Sequence, residues 1–292
     1  MSYSLIKKII SKGLLLIFLI LISSCSSDSP NDPEPIPSEG NLLKSEKEYS
    51  FGILEKETNF YYNSDGNISK IDVNSVYEGI GTFEYFYDDN GRMESYTLSL
   101  LSPFGDQREE NTILIYEGDE IVRSCTNVFV TGEDESFFPD PTVDKVEFEY
   151  NSSGQVTKVI KYQHDYQETA SCESLEYIDG TITMEYDSKG NLTRMEDTSN
   201  IFGPTYLTYT HDNTFHPYRN LKPVYFRNIY NYSSQNNVTS AEEFNSDSNE
   251  KVGYVEYNYE FNEEDYPVSL NRKWSTADNS IFQSYTYQFT YY

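Results

Sequence analysis

The chain has 292 residues, a formal net charge of −27 and an aromatic content of 16%, including 28 Tyr and 17 Phe. So large an acid excess argues against nucleic acid or an anionic membrane surface as a partner. It reads first as solvation of polar faces, and it is also compatible with cations or basic partners.

Residues 1–24 contain no acidic residue. Lys7, Lys8 and Lys12 precede the apolar run from Leu14 to Ile22. That run is short for a membrane span and right for the core of a signal peptide. It ends in Leu21-Ile-Ser-Ser-Cys25, which is similar to the lipobox of bacterial lipoproteins. The resemblance implies cleavage before Cys25 and lipid attachment at Cys25. The alternative is an ordinary signal peptide with an incidental cysteine. Several acyl chains anchor stably, because each buried methylene contributes about 0.8 kcal/mol. Residues 25–40 then hold Pro30, Pro33, Pro35 and Pro37 among Ser, Asp, Asn and Glu. This composition predicts an extended tether. Residues 41–292 are expected to form a single β-barrel-like domain.

Within that domain one phrase recurs: Tyr62-Asn-Ser-Asp-Gly66, Tyr87-Asp-Asp-Asn-Gly91, Tyr150-Asn-Ser-Ser-Gly154 and Tyr186-Asp-Ser-Lys-Gly190. Asn or Asp after the tyrosine starts a turn, and the glycine supplies the positive φ needed to re-enter a strand. An apolar residue follows at Ile68, Met93, Val156 or Leu192. Three degenerate copies fit the same spacing, with Asn213 after Tyr209, Asn236 after Tyr232 and Asp265 after Phe261 in the glycine position. Glu117-Gly118-Asp119 and Asp179-Gly180 predict further hairpins. The flanking runs alternate, as in Val255, Tyr257, Tyr259 and Phe261 against Glu256, Asn258 and Glu260. Period two with one polar face is the antiparallel signature. A break in parity after each glycine predicts a bulge. The pattern predicts an all-β chain: an antiparallel meander of about sixteen strands, closed or strongly rolled into a soluble barrel.

Cys125 and Cys172 are open to two readings, a disulfide or two independent buried thiols. The histidines, His164, His211 and His216, lack metal-ligand spacing. His211-Asp212 reads as loop chemistry before it reads as a catalytic pair. No nucleophile elbow, phosphate loop or dinucleotide fingerprint is present, so no cofactor or metal is implied. The tyrosines either line a cavity or pack across strands. One segment breaks the alternation: Phe215-His-Pro-Tyr-Arg-Asn-Leu-Lys-Pro-Val-Tyr-Phe-Arg227. It is read as a binding loop, a plug across one barrel end, or a crossover whose basic residues pair with carboxylates. His211, His216, Arg219, Lys222 and Arg227 are therefore the candidate ligand residues.

The Tyr-[Asp/Asn]-x-x-Gly-x-aliphatic phrase resembles the YD repeats of Rhs-type shell proteins. It is also similar to a family of bacterial lipoproteins described as having a porin-like fold. There a lipobox, a Pro/Asp-rich tether and Tyr-Asp-x-x-Gly hairpins occur together. Here the family's late segments correspond to His211-Asp-Asn-Thr-Phe-His-Pro217 and Phe261-Asn-Glu-Glu-Asp-Tyr-Pro267. The resemblance implies no activity.

These readings predict a lipid-anchored protein of the bacterial envelope, at the periplasmic or surface face of the outer membrane. It meets the membrane through its lipid only. The expected role is a non-enzymatic binding or structural module for an apolar ligand, a glycan or a protein. The alternatives are a hydrolase acting on envelope or external polysaccharide, which needs two convergent carboxylates, and a surface adhesion or assembly protein, which would expose an apolar patch.

Overall fold

A computed structural model describes residues 41–131, 142–162, 171–198, 203–222, 234–278 and 280–292. The signal-like stretch, Cys25, the tether, His164 and Arg227 lie outside the described residues. Sixteen strands follow one another. They are β1 (Leu43–Ser50), β2 (Ile53–Tyr62), β3 (Ile68–Ser75), β4 (Gly79–Tyr87), β5 (Met93–Leu101) and β6 (Gln107–Glu117). Next come β7 (Glu120–Thr131), β8 (Thr142–Tyr150), β9 (Val156–Tyr162), β10 (Ile178–Tyr186) and β11 (Leu192–Asp197). The last are β12 (Thr205–Phe215), β13 (Asn236–Asn245), β14 (Lys251–Phe261), β15 (Pro267–Thr276) and β16 (Ile281–Tyr291).

Each strand pairs antiparallel with its chain neighbour, and β1 pairs with β16 to close the barrel. Closure removes the two edges that an open sheet of this size would expose. The hydrogen-bonded ring runs from Leu43 to Tyr291, so it is complete without the first forty residues.

The turns behave as their chemistry predicts. Asn63 Oδ1 accepts hydrogen bonds from the amides of Asp65 and Asn67, each at 3.0 Å. Gly66 follows at φ 75° and Gly91 at φ 76°, a region that costs other residues a Cβ clash. The expected bulge is present just past the turn. Tyr62 pairs with Ile68 while Tyr61 pairs with Lys70, leaving Ser69 extra. The same shift recurs at Tyr87, Tyr150, Tyr186 and Phe261.

Three turn expectations need correction or refinement. Asp265 does take the glycine role, at φ 61°. Asn213 does not: it stays within β12, at a register irregularity between His211 and Phe215 opposite β13. Asn236 opens β13 as a strand residue, and its side-chain amide donates to the Thr214 carbonyl at 3.0 Å. Asp179-Gly180 is no hairpin either. It lies inside β10 at a register shift between Ile178 and Gly180 opposite β9. At Asn236 and Gly180 neighbouring strands supply pairing that overrides a local turn preference.

Alternation sorts the side chains. Phe60, Ile71, Tyr85, Leu114, Phe148 and Met184 point inward and are buried. Outward positions carry Glu256, Asn258 and Glu260 on β14, and Thr286, Gln288 and Thr290 on β16. Because the meander reverses at every turn, its connections collect at two ends. Among the described residues, the near end holds the Tyr-Asx-x-x-Gly turns, the turns at Gly118–Asp119 and Asn262–Asp265, and residues 216–222 after β12. The far end holds the connections from β1 to β2, β3 to β4, β5 to β6 and β13 to β14.

Cys125 and Cys172 are bonded, with their Cα atoms 5.7 Å apart. The bond holds the segment before β10 against the outside of β7. Lys145 lies buried beneath that segment. Its ammonium donates to the Leu175 carbonyl at 3.2 Å, pairs with Glu147 at 3.1 Å, and sits 3.9 Å from the centre of the Tyr162 ring.

Candidate functional site: a roofed cavity inside the barrel

Residues 216–222 cross the near mouth of the barrel. His216, Pro217, Tyr218 and Leu221 are buried. Two short turns fold the segment, with the Arg219 amide donating to the His216 carbonyl and the Leu221 amide to the Tyr218 carbonyl, each at 3.0 Å. The Tyr218 ring meets Phe60 and Phe289 edge-on at 6.4 and 6.5 Å. At its far side the Lys222 carbonyl accepts from the Ile68 amide at 3.0 Å. The segment therefore leaves β12 and reaches β3, close to diametrically opposite in the ring. Of the readings open at the sequence level, the described part matches a plug.

Beneath this roof lies a cavity of about 360 Å³. Its walls come from β1 and β11–β16, with His216, Pro217 and Tyr218 above. Its apolar lining comes from Met195, Leu207, Val238, Val255, Leu270 and Phe289. Polar and aromatic groups are interleaved with these, Leu270 lying between Tyr259 and Tyr287 and Phe289 beside Glu46. They are Tyr209, Tyr257, Tyr259, Tyr287, Glu46 and Arg272. Strand register explains why these converge. Glu46 pairs with Phe289 and Glu48 with Tyr287 across the β1–β16 closure. Arg272 pairs with Tyr257 on one side and Tyr285 on the other.

The electrostatics of the wall are unusual for so acidic a chain. Burial, followed by repulsion from Glu48, pushes the Glu46 carboxyl up to about 7, against a smaller opposing pull from Lys56. Its carboxyl has no hydrogen-bond or ion-pair partner among the described residues. Burial also raises Glu48, partly offset by Lys56 and Arg272. For Arg272 burial works against the charge, yet Tyr257, Tyr287 and Glu48 outweigh it and the pKa is raised. Arg272 stays cationic in the wall. Burial pushes the Tyr287 phenol up to about 12 and raises Tyr209, Tyr257 and Tyr259 as well. These phenols remain neutral near pH 7, so each can donate or accept a hydrogen bond.

The candidate ligand residues occupy different places. His216 lines the cavity and accepts from the Tyr218 amide at its Nδ1, 3.3 Å away. His211 lies at the near end, sharing a hydrogen bond with Ser234 Oγ at 3.0 Å, outside the cavity wall. Burial lowers its pKa despite Asp187 and Asp212. The Arg219 guanidinium stacks on the Phe215 ring at 4.4 Å, and Lys222 is exposed. Neither lines the cavity, whose cation is instead Arg272. Arg272 and Glu46 were passed over because each looks like an ordinary charge in an alternating strand. The available signal was parity: Arg272 shares its face with Leu270 and Trp274, which is the inward one.

No family model matches the chain, and no curated protein matches it. Among solved structures, a porin-like protein from Bacteroides uniformis matches with a TM-score of 0.53 at 11% identity. That match covers 88% of this chain and all of the other. A porin-like protein from Bacteroides vulgatus gives a TM-score of 0.39 at 10% identity, covering 87% of this chain and 99% of that one. The first likeness is one of fold; nothing is built on the second. The porin-like expectation holds at that level.

Proposed function

We propose that the protein is a lipid-anchored envelope protein whose barrel is a non-enzymatic binding module. Its ligand is a small amphiphilic or sugar-like molecule held in the cavity under residues 216–222. The observation that carries the reading is the cavity wall. Four neutral phenols, a fixed Arg272 cation and an unpaired Glu46 carboxyl face one space, interleaved with apolar side chains. Ligand sites characteristically combine a mostly apolar surface with a few converging polar groups, and this volume lies toward the small end of their range. A half-buried carboxyl without a protein partner is costly, and a ligand donor would offset that cost.

Envelope placement is supported by the export-signal pattern and the Cys25 context. A membrane-spanning barrel needs an outward apolar band. Glu256 and Asn258, outward and mid-wall on β14, argue that the barrel lies beside the bilayer. The test is a thermal-shift screen of monosaccharides and small amphiphiles against the wild type, Arg272→Met and Tyr257→Phe. Hits weakened by both substitutions support the reading; hits indifferent to both remove it.

A hydrolytic reading has one observation in its favour. Glu46 and Glu48 are two residues apart on one strand face, roughly 7 Å by strand geometry, inside the range used by paired-carboxylate glycosidases. Against it, Glu48 does not line the cavity, and both carboxyls shift the same way. A division into acid and base needs them pushed apart. Polysaccharide turnover abolished by Glu46→Gln would install this reading in place of the first.

A further inference from the structure

The two ends of the barrel differ in chemistry. Near-end turns are polar at their tips: Asn63–Gly66, Asp88–Gly91, Asn151–Gly154, Asp187–Gly190 and Asn262–Asp265. Far-end connections carry projecting apolar side chains instead. Phe51 lies between β1 and β2, Tyr77 between β3 and β4, and Phe104 between β5 and β6. Tyr177 precedes β10, Val252 follows the β13–β14 turn, and Phe282 is the second residue of β16. All are exposed, with Phe104 at 91%, Phe51 at 87% and Tyr177 at 78%. Phe51 is held outward in the left-handed region, at φ 50°.

We infer that this far-end rim docks on the surface of a zwitterionic lipid bilayer, with its aromatic tips in the headgroup boundary. Aromatic side chains favour that boundary, where one part of the ring is apolar and the surroundings are wet. The tips stand on separate connections around a ring. That arrangement suits a soft, laterally uniform surface better than the matched hollows a protein partner would need. The outward faces of β14 and β16 are polar, so penetration there stops at the rim. Charge selects the lipid. Glu55, Asp106 and Asp278 lie among the tips, Glu78 there is paired with Lys56, and the chain carries −27, so anionic headgroups are repelled.

The inference rests in part on the export reading above. The chain enters β1 at the near end, opposite the rim. Residues 25–40 can extend at most about 55 Å. Strands of this length, tilted as in barrels, rise about 25 Å. A lipid at Cys25 can therefore reach the same bilayer that the rim meets.

The test uses the barrel of residues 41–292, which carries no lipid, so its outcome is independent of anchoring. It is mixed with phosphatidylcholine vesicles and sedimented. The chain's single tryptophan, Trp274, packs edge-on against Phe282 with ring centres 4.8 Å apart, so it reports on the rim. Brominated lipid should quench Trp274, and Phe51→Asn with Phe104→Ser and Phe282→Ser should weaken vesicle binding about tenfold or more. Near-end Phe86→Ser with Phe261→Ser should leave it unchanged. Wild type that stays in the supernatant unquenched overturns the inference, as does a rim variant that binds equally well. Rim substitutions that alter only self-association without lipid would make a second copy the occupant, and would also overturn it.

Discussion

The Tyr87 hydroxyl donates to the Ile68 carbonyl at 2.5 Å, joining one hairpin to the one before it. The β3–β4 ladder has already ended at Lys70 and Glu84, so a phenol takes over where backbone pairing stops. The device repeats around the near end. Tyr116 donates to Met93, Tyr150 to Ile121, Tyr186 to Val156, Tyr291 to Pro267 and Tyr62 to Leu43, at 2.6–2.8 Å. The repeat tyrosine is therefore a staple as well as a packing residue. The carbonyl it serves belongs to the apolar residue that resumes the strand.

Tyr150→Phe keeps the ring and removes the donor, leaving the Ile121 carbonyl unmet beside a buried side chain. The expected cost is about 1–2 kcal/mol, read as a lower urea midpoint with unchanged slope. No change in midpoint would mean that water replaces the phenol there.

Glu46 makes stability depend on pH in a defined direction. Its folded pKa, about 7, lies above the ordinary 4.5. Below pH 4.5 both states hold the proton. Between 4.5 and 7 the unfolded chain releases it while the fold retains it, so this stabilisation is lost as pH rises and levels off above 7. Glu46→Gln should therefore be more stable than wild type at pH 8, by at most roughly 3 kcal/mol, and indistinguishable from it at pH 4. Parallel melting curves for the two proteins from pH 4 to 8 would remove the buried carboxyl from the account.

The Cys125–Cys172 bond closes a separation of 47 residues. Cys125→Ser with Cys172→Ser should cost up to about 4 kcal/mol in the chain-entropy description. The loss should appear as a lower melting temperature that reductant no longer changes. A double variant as stable as wild type would show that strand pairing alone holds the segment.

The hairpins were legible because their causes are local: Asn63 reaches its own turn, and Gly66 needs only its own φ. Strand number and inward parity follow from the same short range. The near-end staples were not legible, because a tyrosine hydroxyl and its carbonyl sit on different hairpins. Nor was the site. Glu46 and Tyr287 meet across a closure joining the first and last strands, and no local pattern encodes that register. Residues 211–227 stood out because alternation failed there. That failure marked the roof and missed the wall, whose members keep perfect period two.

The proposed function requires the cavity to be a ligand site. The direct measurement is calorimetric titration of the strongest screening hit into wild type and into Val255→Trp, which fills the space with a large ring. Retained folding with binding abolished is the predicted result. Undiminished binding to the filled, folded barrel would place the ligand elsewhere and contradict the account.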